Sequence, residues 1–249
     1  MTTFIDPRTR RTPAVAGIAE ADVAALARLL AEDARAAILL TLSDGRPQTA
    51  GTLARAAGLR ASAATAHLTR LLRSGLLTAE RVGRQRLYRI GDPAITPVLE
   101  AMAGFAGARQ PRTHGEAYRG SMLRMARMCY DHLAGALGVA ITEALVADGT
   151  LVAHESGFAL SETASARLNR IGVDLDEVRR AAQRTRRPIV RACLDWSERR
   201  PHLAGALGSA VAAALLRANW VERYPDSRAL KITSEGRRAL RKQFDAIVL

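Results

Sequence analysis

The chain has 249 residues, 48% of them apolar, which is ordinary for a soluble globular protein and long enough for one large domain or two modest ones. Its net charge is +13, and with only two lysines, Lys231 and Lys242, almost all of the positive charge is arginine. That balance points to a polyanionic partner; a GC-rich coding sequence would explain arginine in place of lysine, but not the excess of base over acid. Two cysteines exclude a secreted disulfide scaffold, no apolar run reaches membrane-spanning length, and the start lacks a basic-then-apolar leader. A cytoplasmic protein with no membrane partner is expected.

Residues 1–17 mix Thr, Pro and Arg without periodicity and are expected to form a mobile basic arm. Residues 18–106 are expected to be one unit. Val23, Leu26, Leu29 and Leu30 have helical spacing within residues 20–30. A second helix is predicted over 33–42, ending at Ser43-Asp44-Gly45, a short one over 49–57 ending at Gly58, and a longer one over 61–74 ending at Gly75. Residues 76–90, with Val-Gly-Arg at their centre, predict a β-hairpin. Asp92-Pro93 then opens a helix that runs to about Phe105. Turn formers and charge over 107–117 predict a linker.

The remaining unit, 118–249, contains an internal repeat. His132-Leu-Ala-Gly-Ala-Leu-Gly138 recurs unchanged as His202-Leu-Ala-Gly-Ala-Leu-Gly208. The same offset pairs Leu145 with Leu215, Leu160 with Leu230, Thr163 with Thr233 and Arg167 with Arg237. Two copies, 132–171 and 202–241, are each expected to form a helix, a hairpin near 151–161 or 221–232, and a helix opening at the Thr. The fold class expected is therefore mainly α with short β-hairpins (α+β). A winged helix-turn-helix is followed by a mostly helical domain of two winged-like units.

Helix, helix, short helix, turn, longer helix, hairpin is the order of a winged helix-turn-helix, whose second turn helix enters the major groove. In that helix Leu68, Leu71 and Leu72 are expected to face the core. Arg60, Ser62, Ala63, Thr65, Ala66, Thr69 and Arg70 are left for DNA. Small residues at its start allow close approach to base edges. In the hairpin, Arg81, Arg84 and Arg86 suit phosphate or minor-groove contact, with Arg84 and Arg86 expected on one face; the alternative is a merely solvated charged hairpin.

Taken in order, Asp33-Ala-Arg35, Ile38-Leu39, Leu53-Ala54, Ala66-His67-Leu68-Thr-Arg-Leu-Leu-Arg-Ser-Gly75-Leu-Leu and Gly83-Arg-Gln-Arg-Leu-Tyr88 resemble the ArsR/SmtB winged-helix repressors over residues 20–106. The resemblance implies a homodimer that leaves an inverted-repeat operator when an inducer binds. It implies an interface built from the first and last helices, residues 20–30 and 93–105. His67 matches a His common in the recognition helix of that family, where it packs or contacts phosphate rather than acting as a titrating switch. The chain departs from the family in having no Cys in the third helix and no His in the last, so neither familiar metal site carries over. Any inducer site is then expected within residues 115–249.

That region holds both cysteines, each as Cys-x-Asp ahead of a repeat-opening His: Cys129 with His132, and Cys193 with His202. Read as helical, Cys129 and His132 share a face at i and i+3. The preferred reading of these residues is ordinary packing of small buried thiols. The alternatives are a thiophilic metal or metalloid held by two Cys and two His, or a thiol switch, which needs the sulfurs close in space. A small organic effector is a further possibility, in a pocket between the two copies near Tyr130, Trp196 and Trp220. Met122, Met125 and Met128, three apart, are expected on the buried face of a helix. No phosphate loop, His-Glu-x-x-His, nucleophile elbow or deaminase pattern is present, so no enzyme is expected and no cofactor is required.

Overall fold

In the computed structural model, residues 22–106, 110–111 and 113–244 are described, and the basic arm expected at 1–17 lies outside them. The chain is mainly helical with short antiparallel hairpins, in two halves that pack on each other.

The first half opens with α1 (Val23–Leu30), capped by Asp22, which accepts from Ala25 N–H at 2.8 Å. Next come α2 (Asp33–Leu42), β1 (Gln48–Thr49) and α3 (Ala50–Ala56), the last capped by the Thr49 hydroxyl. The second turn helix is α4 (Ala61–Arg73). The hairpin is β2 (Leu77–Val82) and β3 (Gln85–Ile90), followed by α5 (Ile95–Ala106). Ile38, Leu39, Leu53, Leu68, Leu71, Leu77, Tyr88 and Ile90 form one apolar core, with Leu72 only partly buried at its edge. Strand β1 was not foreseen, being too short for a periodic signal; it pairs Gln48 with Tyr88 and completes a sheet in the order β1-β3-β2.

One expectation in the wing is corrected. Val82 pairs with Gln85, so Gly83 and Arg84 form the turn and Arg84 is not in a strand. The arginine that shares a face with Arg86 is its cross-strand partner Arg81.

The second half begins earlier than the linker reading allowed, because Thr113 caps α6 (His114–Met125) and draws residues 114–117 into it. The methionine stripe is also corrected. No residue of α6 is buried, Met125 ends it, and Met128 lies in the strand that follows. That strand, β4 (Arg127–Cys129), pairs with β5 (His132–Ala134), then α7 (Gly135–Ala147), β6 (Leu151–His154), β7 (Gly157–Leu160) and α8 (Ala164–Asn169). Helix α9 (Leu175–Thr185) leads to β8 (Arg191–Leu194), β9 (Pro201–Ala204), α10 (Gly205–Arg217), β10 (Val221–Arg223), β11 (Leu230–Ile232) and α11 (Ser234–Gln243). The order hairpin, helix, hairpin, helix thus occurs twice. The leading hairpins were not foreseen: His132-Leu-Ala and His202-Leu-Ala are strands, and the helices start only at the glycines.

The identical heptapeptides have a physical reason. Gly135 and Gly205 take φ of +78° and +83° where strand turns into helix, a conformation that strains any residue with a Cβ. One turn on, a Cβ at Gly138 or Gly208 would sit 2.6 or 2.5 Å from the carbonyl oxygen of Leu133 or Leu203. Each helix therefore lies against its own preceding strand. It also crosses to the other hairpin, α7 onto β9 and α10 onto β5, and the Thr142 hydroxyl accepts from Leu203 N–H at 2.8 Å. Leu137, Ile141, Leu145, Leu207, Val211 and Leu215 fill the space between.

The halves meet along three seams. Tyr130 N–H donates to Ser43 O at 2.5 Å, and Arg46 donates to Tyr224 O and Ser227 O at 3.0 and 2.8 Å. The third is a buried ion cluster: Glu100 of α5 accepts from Arg127 at 3.0 Å on one oxygen and pairs with Arg228 through the other.

Candidate nucleic-acid interface and candidate metal centre

Helix α4 buries Ala64, Leu68 and Leu71 and turns the opposite face outward. Arg60, Ser62, Ala63, Thr65, Ala66 and Arg70 are exposed on that side, and Thr69 and His67 are half-buried at its margin. No side chain caps its first turn, so backbone N–H groups at its N-terminus stay available to a phosphate. In the wing, Arg81, Arg84 and Arg86 are exposed. Arg86 stacks over Tyr88 at 5.4 Å, while Arg89 is tied back to Glu80. Arg81, Arg84 and Arg86 of the wing have no acidic partner among the described residues, and with the small-residue face of α4 they make an exposed, positively charged surface.

The four Cys and His residues singled out in the sequence meet in the second half. Their ligand atoms all lie within 4.8 Å of one another, and all four side chains are buried. The helical reading of Cys129 and His132 is corrected: they are direct cross-strand partners in β4 and β5. Cys193 and His202 are partners in the same way in β8 and β9. Cross-strand partners project from one face of a hairpin, so each hairpin offers a Cys–His pair and the two hairpins lie side by side. The loops differ, residues 130–131 in one and 195–200 in the other, which is why the sequence spacings differ while the geometry does not.

The sulfurs stand 4.0 Å apart, and both thiols are free. The hydrogen bond to Cys193, then burial, push the Cys129 thiol up to about 12, and the same bond holds Cys193 below its ordinary value. The imidazole rings lie 5.1 Å apart between centroids. His132 Nδ1 is 3.2 Å from Asp131 Oδ1, and Asp131 is gripped by Arg187. Burial disfavours the charged His132 ring, but Asp131 and Cys129 outweigh it and raise the group to about 9. His202 Nδ1 is 3.5 Å from Asp195 Oδ2. Among the described residues, His132 Nε2 and both ring nitrogens of His202 have no hydrogen-bond partner. Asp195 accepts from Gly135 N–H at 2.6 Å and Arg127 at 3.1 Å. Burial opposes its charge, yet Arg127 and the Ser197 hydroxyl hold it well below the usual carboxylate range.

The aromatic trio does not gather. Tyr130, at φ +58° in the β4–β5 turn, lines a cleft of about 500 Å³ that is bounded by the entry to α5 and by both copies of the repeat, through Cys129–His132 of one and Arg191 and Gly205 of the other. Trp196 lies over Arg127 at 4.9 Å, and Trp220 packs against the core of the second half. The signal missed in the sequence was charge: Glu100, Arg127, Asp195 and Arg228 form a buried cluster, and none stands out from the scattered charges of the chain.

A family model described as a helix-turn-helix domain matches residues 30–80. The chain is 36% identical over 224 residues to a Bacillus subtilis (strain 168) protein, the uncharacterized HTH-type transcriptional regulator YdfF, covering 90% of this chain and 97% of that one. It is 34% identical over 79 residues to the HTH-type transcriptional regulator YgaV of Escherichia coli (strain K12), covering 32% of this chain and 80% of the relative. Among solved structures, the cadmium metal-sensor CmtR from Mycobacterium tuberculosis shares 32% identity over 36% of this chain and 93% of its own, with a TM-score of 0.31.

Proposed function

Because the chain belongs to the HTH-type transcriptional regulators, with an ArsR/SmtB winged helix-turn-helix, we propose that it is a homodimeric repressor that binds an inverted-repeat operator and is released by an effector held in its second half. The observation that carries the reading is the exposed face of α4 beside the wing arginines, at the positions where a winged helix-turn-helix meets DNA. Arg60 and the Ser62–Arg70 face read base edges and phosphates in the major groove, and Arg81, Arg84 and Arg86 hold the flanking backbone. The protein works in the cytoplasm; no described helix is long and apolar enough to cross a membrane.

An apolar stripe supports the dimer. Val98, Met102 and Phe105 follow one another on the outer face of α5 at helical spacing, Phe105 being 92% exposed. Helix α1 buries none of its residues, and Val23 is exposed. A second copy meeting both helices would cover these side chains and set two recognition helices about one DNA turn, or a multiple, apart. Selection of duplexes from a random pool should return an inverted repeat, bound with an affinity that falls steeply with salt. Phe105→Glu should shift the protein to monomer in sedimentation and weaken binding to the full site. Salt-insensitive binding without sequence preference would instead favour a protein-interaction module.

A second reading is a metal- or thiol-responsive sensor, favoured by the convergence of Cys129, His132, Cys193 and His202.

A further inference from the structure

We propose that Cys129, His132, Cys193 and His202 bind one thiophilic divalent cation of the Zn²⁺ class as a tetrahedral centre, and that occupancy reaches the winged helix through Asp195, Arg127 and Glu100. The metal site stands on its own geometry; its regulatory role rests on the reading of the chain as an operator-binding repressor.

Three observations carry the site. First, the spacing fits. Two sulfurs each bound at about 2.3 Å to a tetrahedral zinc stand about 3.8 Å apart, whereas a disulfide needs about 2.05 Å. The observed separation is 4.0 Å. Second, both histidines are at least 98% buried, yet their Nε2 atoms have no partner among the described residues. A buried nitrogen without a partner is costly, and a cation would take up both. Third, each Nδ1 faces a carboxylate, Asp131 Oδ1 at 3.2 Å and Asp195 Oδ2 at 3.5 Å. Such outer carboxylates fix the imidazole tautomer, with the proton on Nδ1 and the lone pair of Nε2 directed at the metal. Both carboxylates are held by arginine, Asp131 by Arg187 and Asp195 by Arg127.

Loading is a deprotonation. Two S–H protons leave, the His132 imidazolium gives up its Nε2 proton as well, two metal–sulfur bonds form, both imidazoles bind neutral, and no electrons move. Two thiolates cancel the charge of a divalent ion, so the filled centre is neutral, as its dry surroundings require. The cleft between the halves supplies a way in, with Cys129, Asp131 and His132 on one wall and Asp92 and Thr96, from the entry to α5, on the other.

The route outward is short. Asp195 Oδ2 faces both His202 and Arg127, and Arg127 Nη2 also reaches Glu100 on α5 at 3.0 Å. A metal on His202 Nε2 places a proton on Nδ1, opposite Asp195. Asp195 Oδ2, which already accepts from Gly135 N–H and Arg127, then takes a third donor, and the grip on α5 shifts. Helix α5 also carries the exposed stripe assigned to dimerisation, so a small displacement there changes the separation of the two recognition helices.

The test uses the full-length reduced protein after chelation, titrated with Co²⁺ and then Zn²⁺, beside binding of a duplex selected by the metal-free protein. The expected result is one Co²⁺ per chain with the intense visible bands of a tetrahedral site and a near-ultraviolet thiolate band. Zn²⁺ should displace it and weaken DNA binding about tenfold, within the usual range of allosteric coupling. His202→Ala and Cys193→Ala should lose the bands while metal-free DNA binding persists, which checks folding. Glu100→Gln should keep the bands and lose the DNA response. A folded wild-type protein that binds no Co²⁺, or whose thiols are found joined in a disulfide, overturns the site. Stoichiometric metal with unchanged DNA affinity overturns the coupling. A protein that takes up metal but binds no duplex in either state leaves the centre standing and sinks the repressor reading.

Discussion

The two halves of the molecule put their polar chemistry in opposite places. The winged half builds its core from Ile38, Leu39, Leu53, Leu68 and Leu71 and sends the arginines of α4 and the wing outward, while Arg35, Asp44 and Glu100 are its buried charges. The second half carries charge and ligands inside: Arg127, Asp195, His132, His202 and both thiols are buried. Exposed arginines stay hydrated and are free to meet phosphates, so the first half acts at its surface. Buried charges are costly unless each is paired, so they fix geometry and respond sharply to a change in one partner. The contrast suits a division into reader and regulator.

The contrast breaks most directly at Glu100, the one acidic group of α5 inserted between Arg127 and Arg228. Removing it strands the buried Arg228 and leaves Arg127 with Asp195 alone, so Glu100→Ala should cost about 3–5 kcal/mol in urea denaturation. A cost within the range of a surface substitution would refute the buried-network account. The same group predicts a pH response. Burial opposes its charge, but Arg228 and Arg127 outweigh that and hold it below its ordinary 4.5. Its contribution is therefore complete above about pH 4.5 and is lost as pH falls through the lower folded value. The stability gap between wild type and Glu100→Gln should be flat from pH 8 to 5 and close in stronger acid.

Next in size is Gly208→Ala. A Cβ there meets the carbonyl of Leu203 at 2.5 Å and the Cβ of His132 at 3.2 Å. The clash should cost about 1–3 kcal/mol, read as a lower melting temperature, and displace a proposed metal ligand. In the winged half the expected effects appear in DNA binding rather than stability. Arg70→Ala should relax preference at one base position by about 1–3 kcal/mol. Arg84→Ala with Arg86→Ala should weaken binding to all sequences and flatten the logarithmic salt slope by about 2. The smallest effect belongs to the exposed pair of Arg55 and Asp226, 3.3 Å apart across the seam. Asp226→Asn should change stability by less than about 1 kcal/mol.

Legibility in the sequence followed local chemistry. The wing shows itself through Gly83, and helices α2 to α4 through the glycines that end them, Gly45, Gly58 and Gly75, and their apolar spacing. The β4–β5 hairpin does not, because its turn is Tyr130-Asp131 and an aromatic residue in left-handed conformation gives no turn signal. Cys129 and His132 therefore lie on paired strands and not on one helix face, as their spacing of three suggests. Strand β1 is too short to carry a pattern, and Met128 fell out of its expected stripe because α6 stops at Met125. Glu100 and Arg127, 27 positions apart, gave no hint of contact because ion pairs across a fold leave no periodicity.

The unequal loops of the two Cys–His hairpins bear on how such a protein can diversify. Cys129 and His132 are separated by a minimal turn, with no room for insertion. Cys193 and His202 are held in the same register by a longer excursion that also carries Asp195 and Trp196. One half of the constellation is locked, and the other has room in 198–200 to gain, lose or exchange residues while Asp195 keeps its hold on Gly135 and Arg127. Relatives could retune what the centre reports, and to whom, by editing 198–200 alone. A pattern search built on fixed Cys-to-His spacing would pass over them.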